Sequence, residues 1–396
     1  MTAQQDPVVI VSAARTPLGA FQGDFADLSA HDLGGAAIRA AVARAGIAPA
    51  LVEEVLLGNC LMAGQGQAPA RQAGFKGGLP QSTGAVTLSK MCGAGMEAAI
   101  LAHDQLIAGS RTVMIAGGME SMTNAPYLLK KGRGGYRMGH DKVYDHMMLD
   151  GLEDAYEPGR SMGTFGEDCA AHYHFSREQQ DAYAIASVQR AQAAAQSGAF
   201  DAEITPVSLA TRKGELTIRV DEGPAKARLD KIATLRPAFK KDGTITAASS
   251  SSINDGAAAM VLMRQSTAQQ LGCTPLAKIV AHATHAQAPE WFTTAPVGAV
   301  QKALKKAGWH VQDVDLWEVN EAFAVVPMAL MAELEVPHER VNVHGGACAL
   351  GHPIGASGAR IIVTLIHALQ RHGKKKGVAT LCIGGGEGTA IALELL

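Results

Sequence analysis

The sequence predicts an α/β protein made of two similar halves, each a layered sandwich of helices and sheet, with a separate segment inserted between them. Strand-like apolar segments alternate with Ala-rich helical segments along most of the 396 residues. The two ends of the chain repeat these segments in the same order. With 47% hydrophobic and 18% charged residues, the chain has the composition of an ordinary folded protein and can bury two or three cores.

The first strand and helix of the two halves correspond. Strand candidates at residues 8–12 and 277–281 are each followed by an Ala-rich helix that ends at a glycine, Gly46 in one half and Gly308 in the other. The further pairs, in the same order, are residues 55–60 and 316–321, 93–95 and 356–358, and 113–118 and 379–385. This order favours duplication of one α/β unit over a chance likeness of Ala- and Gly-rich segments. It predicts two parallel-rich sheets, with a site between the halves where strands end.

Three segments follow from this pattern. Residues 1–121 with 250–275 are predicted to form the first half, and residues 276–396 the second. Residues 122–249 differ in sequence pattern from both halves and are predicted to form an inserted loop domain. Its Gly- and cation-rich run, residues 130–137, fits a solvated loop, an oligomer contact or a phosphate site. Ser176 and Gln179 form a capping box that predicts a helix to about Ser197.

Charge and cysteine content exclude several classes of protein. With a net charge of −2, the chain lacks the overall positive charge that is typical of proteins that bind nucleic acid or a membrane surface. The six cysteines form no CxxC pair and are too sparse for a disulfide scaffold, which favours reduced thiols and a cytoplasmic protein. No apolar run reaches transmembrane length, and we expect neither a signal peptide at the start nor a peroxisomal signal in the final Leu-Glu-Leu-Leu.

Cys92 lies where a β-branched and apolar run gives way to Gly93-Ala94-Gly95 and an Ala-rich helix. A helix start offers unpaired backbone N–H groups and the positive end of a dipole, which favour a thiolate and can stabilise a nearby oxyanion. The flanking glycines allow a substrate carbonyl to approach the backbone. The alternative is a small buried hydrophobic cysteine.

His352 lies in a Gly-rich loop, residues 345–360, just before a second helix. Pro353 fixes the backbone after it, so the imidazole is rigidly placed. A neutral imidazole there can take a proton from a thiol or donate to an oxyanion, and the alternative is a histidine that caps the helix.

Two more polar groups end apolar strands. Asn320, in Asn-Glu-Ala-Phe, is suited to orienting a water or a carbonyl, although turn chemistry is the alternative. Cys382 precedes Gly384-Gly385-Gly386, where its thiol meets backbone donors, and an inert buried cysteine is the alternative.

Together these four motifs resemble the thiolase family over essentially the whole chain. Cys92 occurs in Lys-Met-Cys-Gly-Ala-Gly-Met, His352 in Gly-His-Pro-Ile-Gly-Ala-Ser-Gly, and Asn320 and Cys382 in the motifs just given, in the family's order and spacing. The resemblance implies a thiolase-like fold of duplicated α/β domains with an inserted loop domain that binds coenzyme A (CoA) and makes oligomer contacts. It also implies a homotetramer, a dimer of dimers.

The resemblance implies that Cys92 becomes acetylated after activation by His352, and that Cys382 is the acid/base that deprotonates a second acetyl-CoA. One oxyanion site would be His352 with a water held by Asn320, and the other the backbone N–H groups of Cys92 and Gly384. The substrates and products would be acetyl-CoA, acetoacetyl-CoA and CoA. No metal and no redox cofactor is implied, because the thioesters arrive already activated.

Within the family, residues 150–155 with Met162-Gly163 resemble the acetoacetyl-CoA type, the acetyl-CoA C-acetyltransferases, more than the long-chain type. Met162 would close the acyl pocket and Ser251 would contact the pantetheine arm. Phe292 would reshape the acyl pocket and admit a 2-methyl group. Lys226 or Arg228 would meet a CoA phosphate, with a solvated cation as the alternative.

The chain departs from the family pattern at four positions. Ser161 and Ser249 replace a histidine and an asparagine that many biosynthetic members carry, which puts a pantetheine contact at Ser161 in doubt. Phe292, in Pro289-Glu290-Trp291-Phe292, stands where bacterial biosynthetic enzymes often have Met. Pro224 replaces the Tyr of potassium-dependent relatives, which argues against potassium dependence.

Three rival functions remain. A broader-chain 3-ketoacyl-CoA thiolase would use the same residues. A β-ketoacyl synthase would pair its cysteine with two histidines, or with His and Asn, so Cys382 argues against it. A catalytically silent acyl-CoA or lipid carrier would be expected to lose a catalytic residue, and this chain keeps all four.

Overall fold

The computed structural model describes residues 6–212 and 214–396. Its main strands and helices alternate along the chain, as predicted. The strands are β1 Val8–Arg15, β2 Gly19–Ala20, β3 Glu54–Gly58, β4 Gly84–Leu88, β5 Val113–Ser121, β6 Tyr127–Leu128, β7 Tyr144–Asp145, β8 Val207–Thr211, β9 Gly214–Ile218, β10 Asn254–Arg264, β11 Ala277–Ala286, β12 Leu316–Val319, β13 Lys376–Ile383 and β14 Glu387–Leu395. The helices are α1 Ala30–Ala45, α2 Pro69–Lys76, α3 Ala94–Ile107, α4 Met162–His172, α5 Arg177–Gln196, α6 Glu222–Lys226, α7 Gln265–Leu271, α8 Ala295–Ala307, α9 Val325–Leu334, α10 Ala347–Leu350 and α11 Ile354–Arg371.

The central sheet is one continuous path in the order β12-β13-β14-β11-β1-β10-β5-β3-β4, with β2 paired to β10. The prediction of two parallel-rich sheets was therefore wrong. The halves join through β1 and β11, which pair at Val9–Lys278 and Ile10–Ala277. Only the outer pairs β3–β4, β3–β5 and β12–β13 are parallel. A tight turn of glycines links β13 to β14, and so short a connection permits only antiparallel pairing.

Duplication is visible in the strand pairing. β1–β10 and β10–β5 are antiparallel and β5–β3 is parallel, and β11–β14, β14–β13 and β13–β12 have the same senses in the same order. The register of β1 against β10 shifts between Ile10 and Ser12, and that of β11 against β14 shifts between Ile279 and Ala281. Each half thus carries a β-bulge after the third residue of its first strand.

The core has layers because the central strands β1, β5, β10 and β13 bury both of their faces. Val8 and Ile10 of β1 belong to a central cluster with residues of α3 and α11, whereas Val9 and Val11 belong to an outer cluster with α1 and α2. A third cluster packs α4, α8 and α9 against the second half of the sheet. Strands buried on both faces are continuously apolar, which is why they were recognisable in the sequence.

The inserted segment is fastened to the sandwich by buried polar contacts. Arg15 of β1 is fully buried, donates from Nε to Glu203 at 2.6 Å and makes two bonds to Asp221 at 2.7 and 2.9 Å. Its long helix α5 begins with the predicted capping box, in which Gln179 N–H donates to Ser176 Oγ at 3.2 Å and Ser176 N–H to Gln179 Oε1 at 2.8 Å. The boundaries predicted for the three segments stay predictions.

Among the described residues, no helix combines the length and the apolar character needed to cross a membrane.

Candidate active site

The starts of α3 and α11 meet between the two halves, and this crossing creates the site. A Cβ on Gly95 would lie 2.7 Å from the backbone nitrogen of Ala359, and one on Gly358 would lie 2.4 Å from that of Met96. Any side chain at either glycine would therefore force the helices apart. The two glycines matched by the duplication are the contact point that brings Cys92 and His352 to one cavity.

Cys92 is half-buried and precedes Gly93, the N-cap of α3. Met91, just before it, has φ +46°, a left-handed conformation that costs a non-glycine residue free energy and turns the chain sharply. Lys90 holds the same loop to the start of β14 through an ion pair with Glu387 at 2.5 Å. The strained turn presents the thiol to the cavity.

Burial raises the pKa of Cys92 to about 11, although backbone N–H groups of Gly384 and of Cys92 itself bond the sulfur and act in the opposite direction. The pKa of Cys92 is therefore raised, whereas a position at a helix start was expected to lower it. Desolvation of the thiolate outweighs the effect of the helix terminus here. The thiol therefore needs a base close by to become a nucleophile.

His352 is buried, lies beside the same cavity and has a defined tautomer. The Ser357 hydroxyl donates to the carbonyl of Pro353 at 2.9 Å, so its oxygen accepts from Nδ1–H of His352 at 2.5 Å. The other nitrogen, Nε2, has no hydrogen-bond partner among the described residues and keeps a free lone pair. Burial, with a smaller contribution from the charge of Arg360, lowers the pKa of His352 to about 3, so the imidazole is neutral near pH 7.

Asn320 is fully buried directly after β12. Its Nδ2 lies 3.5 Å from Nδ1 of His352, and its Oδ1 has no partner within the described part of the chain. A buried amide oxygen without a partner is costly unless a water or ligand meets it. The next residue, Glu321, accepts from Tyr183 and Ser187 of α5 at 2.9 and 2.7 Å, which fixes this loop against the inserted segment.

Cys382 is fully buried near the end of β13. Burial raises the pKa of Cys382 well above its usual value, and Cys92 raises it further by charge repulsion. At the end of the same strand, a Cβ on Gly93 would lie 2.4 Å from Cδ1 of Ile383, so β13 ends against the start of α3. Gly385 and Gly386 then turn the chain with φ of +96° and +92°. The backbone N–H of Gly384, just before that turn, acts to lower the pKa of the Cys92 thiol.

The cavity has a volume of about 440 Å³ with its mouth included, and most of its lining is apolar. Met162, Ser251 and Phe292, which were predicted to bind substrate, all line it, and their contacts with substrate stay predictions. Cε of Met162 would lie 3.4 Å from a Cβ on Gly384, so Met162 forms the part of the wall next to that glycine. Phe292 is buried and packs edge-to-face on Phe323, with ring centroids 6.5 Å apart. The complete lining is Met91, Cys92, Gly151, Leu152, Met162, Ser251, Phe292, Ala322, Phe323, His352, Ile354 and Gly384.

Lys226 and Arg228 lie outside this lining and already have acidic partners. Lys226 forms an ion pair with Glu222, one turn earlier on α6. Arg228 contacts Asp230 at 3.1 and 3.0 Å. A phosphate contact at either cation stays a prediction, and it requires displacement of a carboxylate.

Two residues that hold the site were not predicted. Ser357 fixes the tautomer of His352, and the visible signal was a hydroxyl in the first turn of the helix that follows this histidine. Glu120, fully buried at the end of β5, accepts from backbone N–H groups of Cys60, Leu61 and Gly355 at 2.9, 3.1 and 2.9 Å. Its carboxylate thereby joins the loop after β3 to the start of α11. No local motif distinguishes such a residue, because its partners are far away in sequence.

The described residues also put a third thiol beside the site. Cys60 is buried in the same apolar cluster as Cys92 and donates from Sγ to the carbonyl of Met91 at 3.2 Å. Burial raises the pKa of Cys60 well above its usual value, and Glu120 raises it further.

Comparison with known proteins gives a consistent result over the full length of the chain. The family model "Thiolase, N-terminal domain" matches residues 8–266 and "Thiolase, C-terminal domain" matches residues 273–395. An acetyl-CoA acetyltransferase of Chromobacterium violaceum is 50% identical over 389 residues, covering 98% of this chain and 99% of that protein. A probable acetyl-CoA acyltransferase of Staphylococcus aureus is 46% identical, with 98% of each chain covered.

Solved structures agree. The acetyl-CoA acetyltransferase of Bacillus anthracis superposes with a TM-score of 0.96 at 40% identity, covering 99% of each chain. A thiolase of Ascaris suum in complex with coenzyme A superposes with a TM-score of 0.93 at 42% identity, covering 98% of this chain and 100% of that one.

Proposed function

Because this chain belongs to the thiolase family, we propose that it is an acetyl-CoA C-acetyltransferase, which condenses two molecules of acetyl-CoA to acetoacetyl-CoA and CoA and also runs in reverse. One observation carries the proposal. The thiol of Cys92, the free Nε2 of His352 and the backbone N–H of Gly384 converge on a small, mostly apolar cavity closed by Met162 and Phe292.

The first half-reaction transfers an acetyl group to Cys92. Nε2 of His352 takes the thiol proton while sulfur attacks the carbonyl carbon of acetyl-CoA. We assign the oxyanion of the tetrahedral intermediate to the N–H groups of Cys92 and Gly384, and their lowering effect on the pKa of the Cys92 thiol supports this assignment. The carbon–sulfur bond to CoA breaks, and the leaving thiolate takes the proton of Cys382. Cys382 is left as a thiolate and His352 as an imidazolium.

The second half-reaction forms the carbon–carbon bond. The Cys382 thiolate removes a proton from the methyl carbon of a second acetyl-CoA. Nε2–H of His352, with a water held by Oδ1 of Asn320, stabilises the enolate oxygen. The enolate carbon attacks the acetyl thioester, the bond to Cys92 breaks, and His352 returns its proton to that sulfur. All three groups regain their starting protonation states.

The burial of these groups supports this division of labour. Thiols with raised pKa values become strong bases once deprotonated, which suits the removal of a weakly acidic methyl proton. A neutral imidazole with Nδ1–H committed to Ser357 offers its other nitrogen to Cys92. Ser251 lies on the cavity wall, which supports the proposed contact with the pantetheine arm.

The proposed function also includes the cofactor requirement, the compartment and the assembly of the enzyme. The reaction needs no redox cofactor and no catalytic metal, because both substrates are activated thioesters whose oxyanions are met by N–H donors. We also propose a cytoplasmic enzyme that assembles as a homotetramer. Light scattering measures the assembly, and a monomeric mass would refute the tetramer.

Chain-length selectivity tests the function. CoA-dependent cleavage of acetoacetyl-CoA, 2-methylacetoacetyl-CoA and 3-ketohexanoyl- to 3-ketodecanoyl-CoA is followed at the enolate absorbance. We expect turnover of the substrates with a four-carbon backbone only. Comparable turnover of longer chains would instead identify a broad 3-ketoacyl-CoA thiolase, and no turnover of any of them would favour a silent carrier.

A further inference from the structure

Two histidines and one aspartate form a cluster away from the cavity. His103 and Asp104 lie near the end of α3, and His282 lies on β11, so the cluster joins the first half of the chain to the second. The distances are 2.9 Å from His103 Nδ1 to Asp104 Oδ1, 3.0 Å from His282 Nε2 to Asp104 Oδ1, and 3.2 Å from His282 Nε2 to His103 Nδ1. Three possible donor atoms thus form a nearly equilateral triangle.

These distances suit a first-row divalent cation. At a bond length of about 2.0–2.1 Å, neighbouring ligand atoms are separated by about 2.9 Å in octahedral and about 3.3 Å in tetrahedral geometry. The observed edges lie between these values, so a cation above the triangle would reach all three atoms without a backbone movement. Two imidazoles with one carboxylate form a donor set that zinc, cobalt and nickel accept.

The surroundings give a cation access. The side chains of both histidines are mostly covered, 18% exposed for His103 and 17% for His282, whereas Asp104 is 56% exposed and opens the triangle to solvent. A positive charge lies close to the cluster, because Nζ of Lys306 on α8 donates to the backbone carbonyl of His282 at 2.9 Å. Without a cation, the same atoms can satisfy one another by hydrogen bonds, so experiment must separate the two states.

We propose that His103, Asp104 and His282 form a site for one divalent first-row cation of the zinc and cobalt type. The cluster lies eleven residues along α3 from Cys92, about 17 Å at the helical rise of 1.5 Å per residue. A cation there cannot touch the reacting atoms. It would instead cross-link α3, the helix that follows the nucleophile, to β11, the first strand of the second half, and so stabilise their packing.

Cobalt titration of the metal-stripped full-length chain tests this site, because bound Co²⁺ reports its ligands by absorption. We expect one equivalent per chain, visible bands of a nitrogen and oxygen site, and no sulfur-to-cobalt charge-transfer band. Zn²⁺ should displace the cobalt and raise the thermal unfolding midpoint. Replacing either histidine, His103→Ala or His282→Ala, should weaken binding at least about ten-fold.

His310→Ala is the matched control, because His310 is also next to an aspartate on the surface of the second half, where its backbone N–H donates to Asp313 at 2.7 Å. It should bind cobalt like the unsubstituted chain. His282→Gln keeps the size of the side chain should the alanine variant fold poorly. Undiminished binding by the His282 variants, a sulfur charge-transfer band lost in Cys92→Ser, or no saturable binding would each overturn the site.

Discussion

The hydroxyl oxygen of Ser357 lies 2.5 Å from Nδ1 of His352, and its own proton is committed to the carbonyl of Pro353. One serine therefore decides which imidazole nitrogen carries the proton. Nε2 is left without a proton and without a partner among the described residues. In the proposed reaction that nitrogen receives the proton of Cys92, so Ser357 acts by positioning His352 rather than by touching substrate.

Ser357→Ala should lower kcat for acetoacetyl-CoA cleavage about 10- to 100-fold, the usual effect of removing a hydrogen bond that orients a functional histidine. KM should change little, because Ser357 does not line the cavity. Steady-state kinetics separates the two parameters, and Ser357→Thr, which keeps the hydroxyl, should recover activity. An unchanged kcat in an alanine variant of normal thermal stability would show that the tautomer does not limit the reaction.

Cys92→Ala should abolish covalent labelling by radioactive acetyl-CoA, because it removes the sulfur at the start of α3. Acid precipitation followed by counting measures the label. Cys60→Ala is the control, since that thiol is buried in the same cluster but donates to the carbonyl of Met91, and it should leave labelling intact. Labelling that survives in Cys92→Ala would assign the nucleophile elsewhere.

Cys382→Ser should still become acetylated on Cys92 but should condense slowly, by about 10²- to 10⁴-fold, the range for loss of a general acid or base. The alcohol keeps the size of the side chain and is a far poorer acid than the thiol. Acetylation and acetoacetyl-CoA formation are measured separately in the same preparation. If condensation proceeds at the normal rate, Cys382 is not the base.

Phe292→Val should enlarge the acyl pocket, because Phe292 is buried in its wall against Phe323. We expect kcat/KM for 3-ketohexanoyl-CoA relative to acetoacetyl-CoA to rise about ten-fold, the scale on which hydrophobic pockets discriminate small groups. Trp291→Val is the matched control, since the neighbouring Trp291 packs on His172 outside this cavity. Unaltered selectivity in Phe292→Val would mean that another residue limits chain length.

Acid should destabilise the folded protein because protonation of the buried His344 is unfavourable. Burial lowers the pKa of His344 to about 4, so between about pH 6.5 and pH 4 the unfolded chain binds a proton at this histidine that the folded chain does not. Stability is therefore fully present above pH 6.5 and falls with pH, by at most about 1.4 kcal/mol per pH unit for one group. Urea midpoints across this range should fall less steeply in His344→Gln than in the exposed control His140→Gln. Equal slopes would contradict this assignment.

Local patterns in the sequence were sufficient to predict many of the structural elements. Strand and helix alternation, the repeated order of segments and the capping box of α5 depend on neighbouring residues, and the structure bears them out. The motifs around Cys92, His352 and Asn320 also predicted that these residues share one place, because each ends a strand or begins a helix at the junction of two like halves.

Burial and long-range contacts were decided only in three dimensions. The sheet is continuous because β1 meets β11 across 267 residues of sequence at Ile10 and Ala277, and no local pattern specifies that edge. The pKa of Cys92 rises because desolvation, a sum over distant atoms, exceeds the local effect of the helix start. The sequence by itself thus predicted which groups carry the proposed chemistry, whereas tertiary packing decided the direction of their pKa shifts, because proton affinity depends on surroundings that the chain assembles from all of its parts.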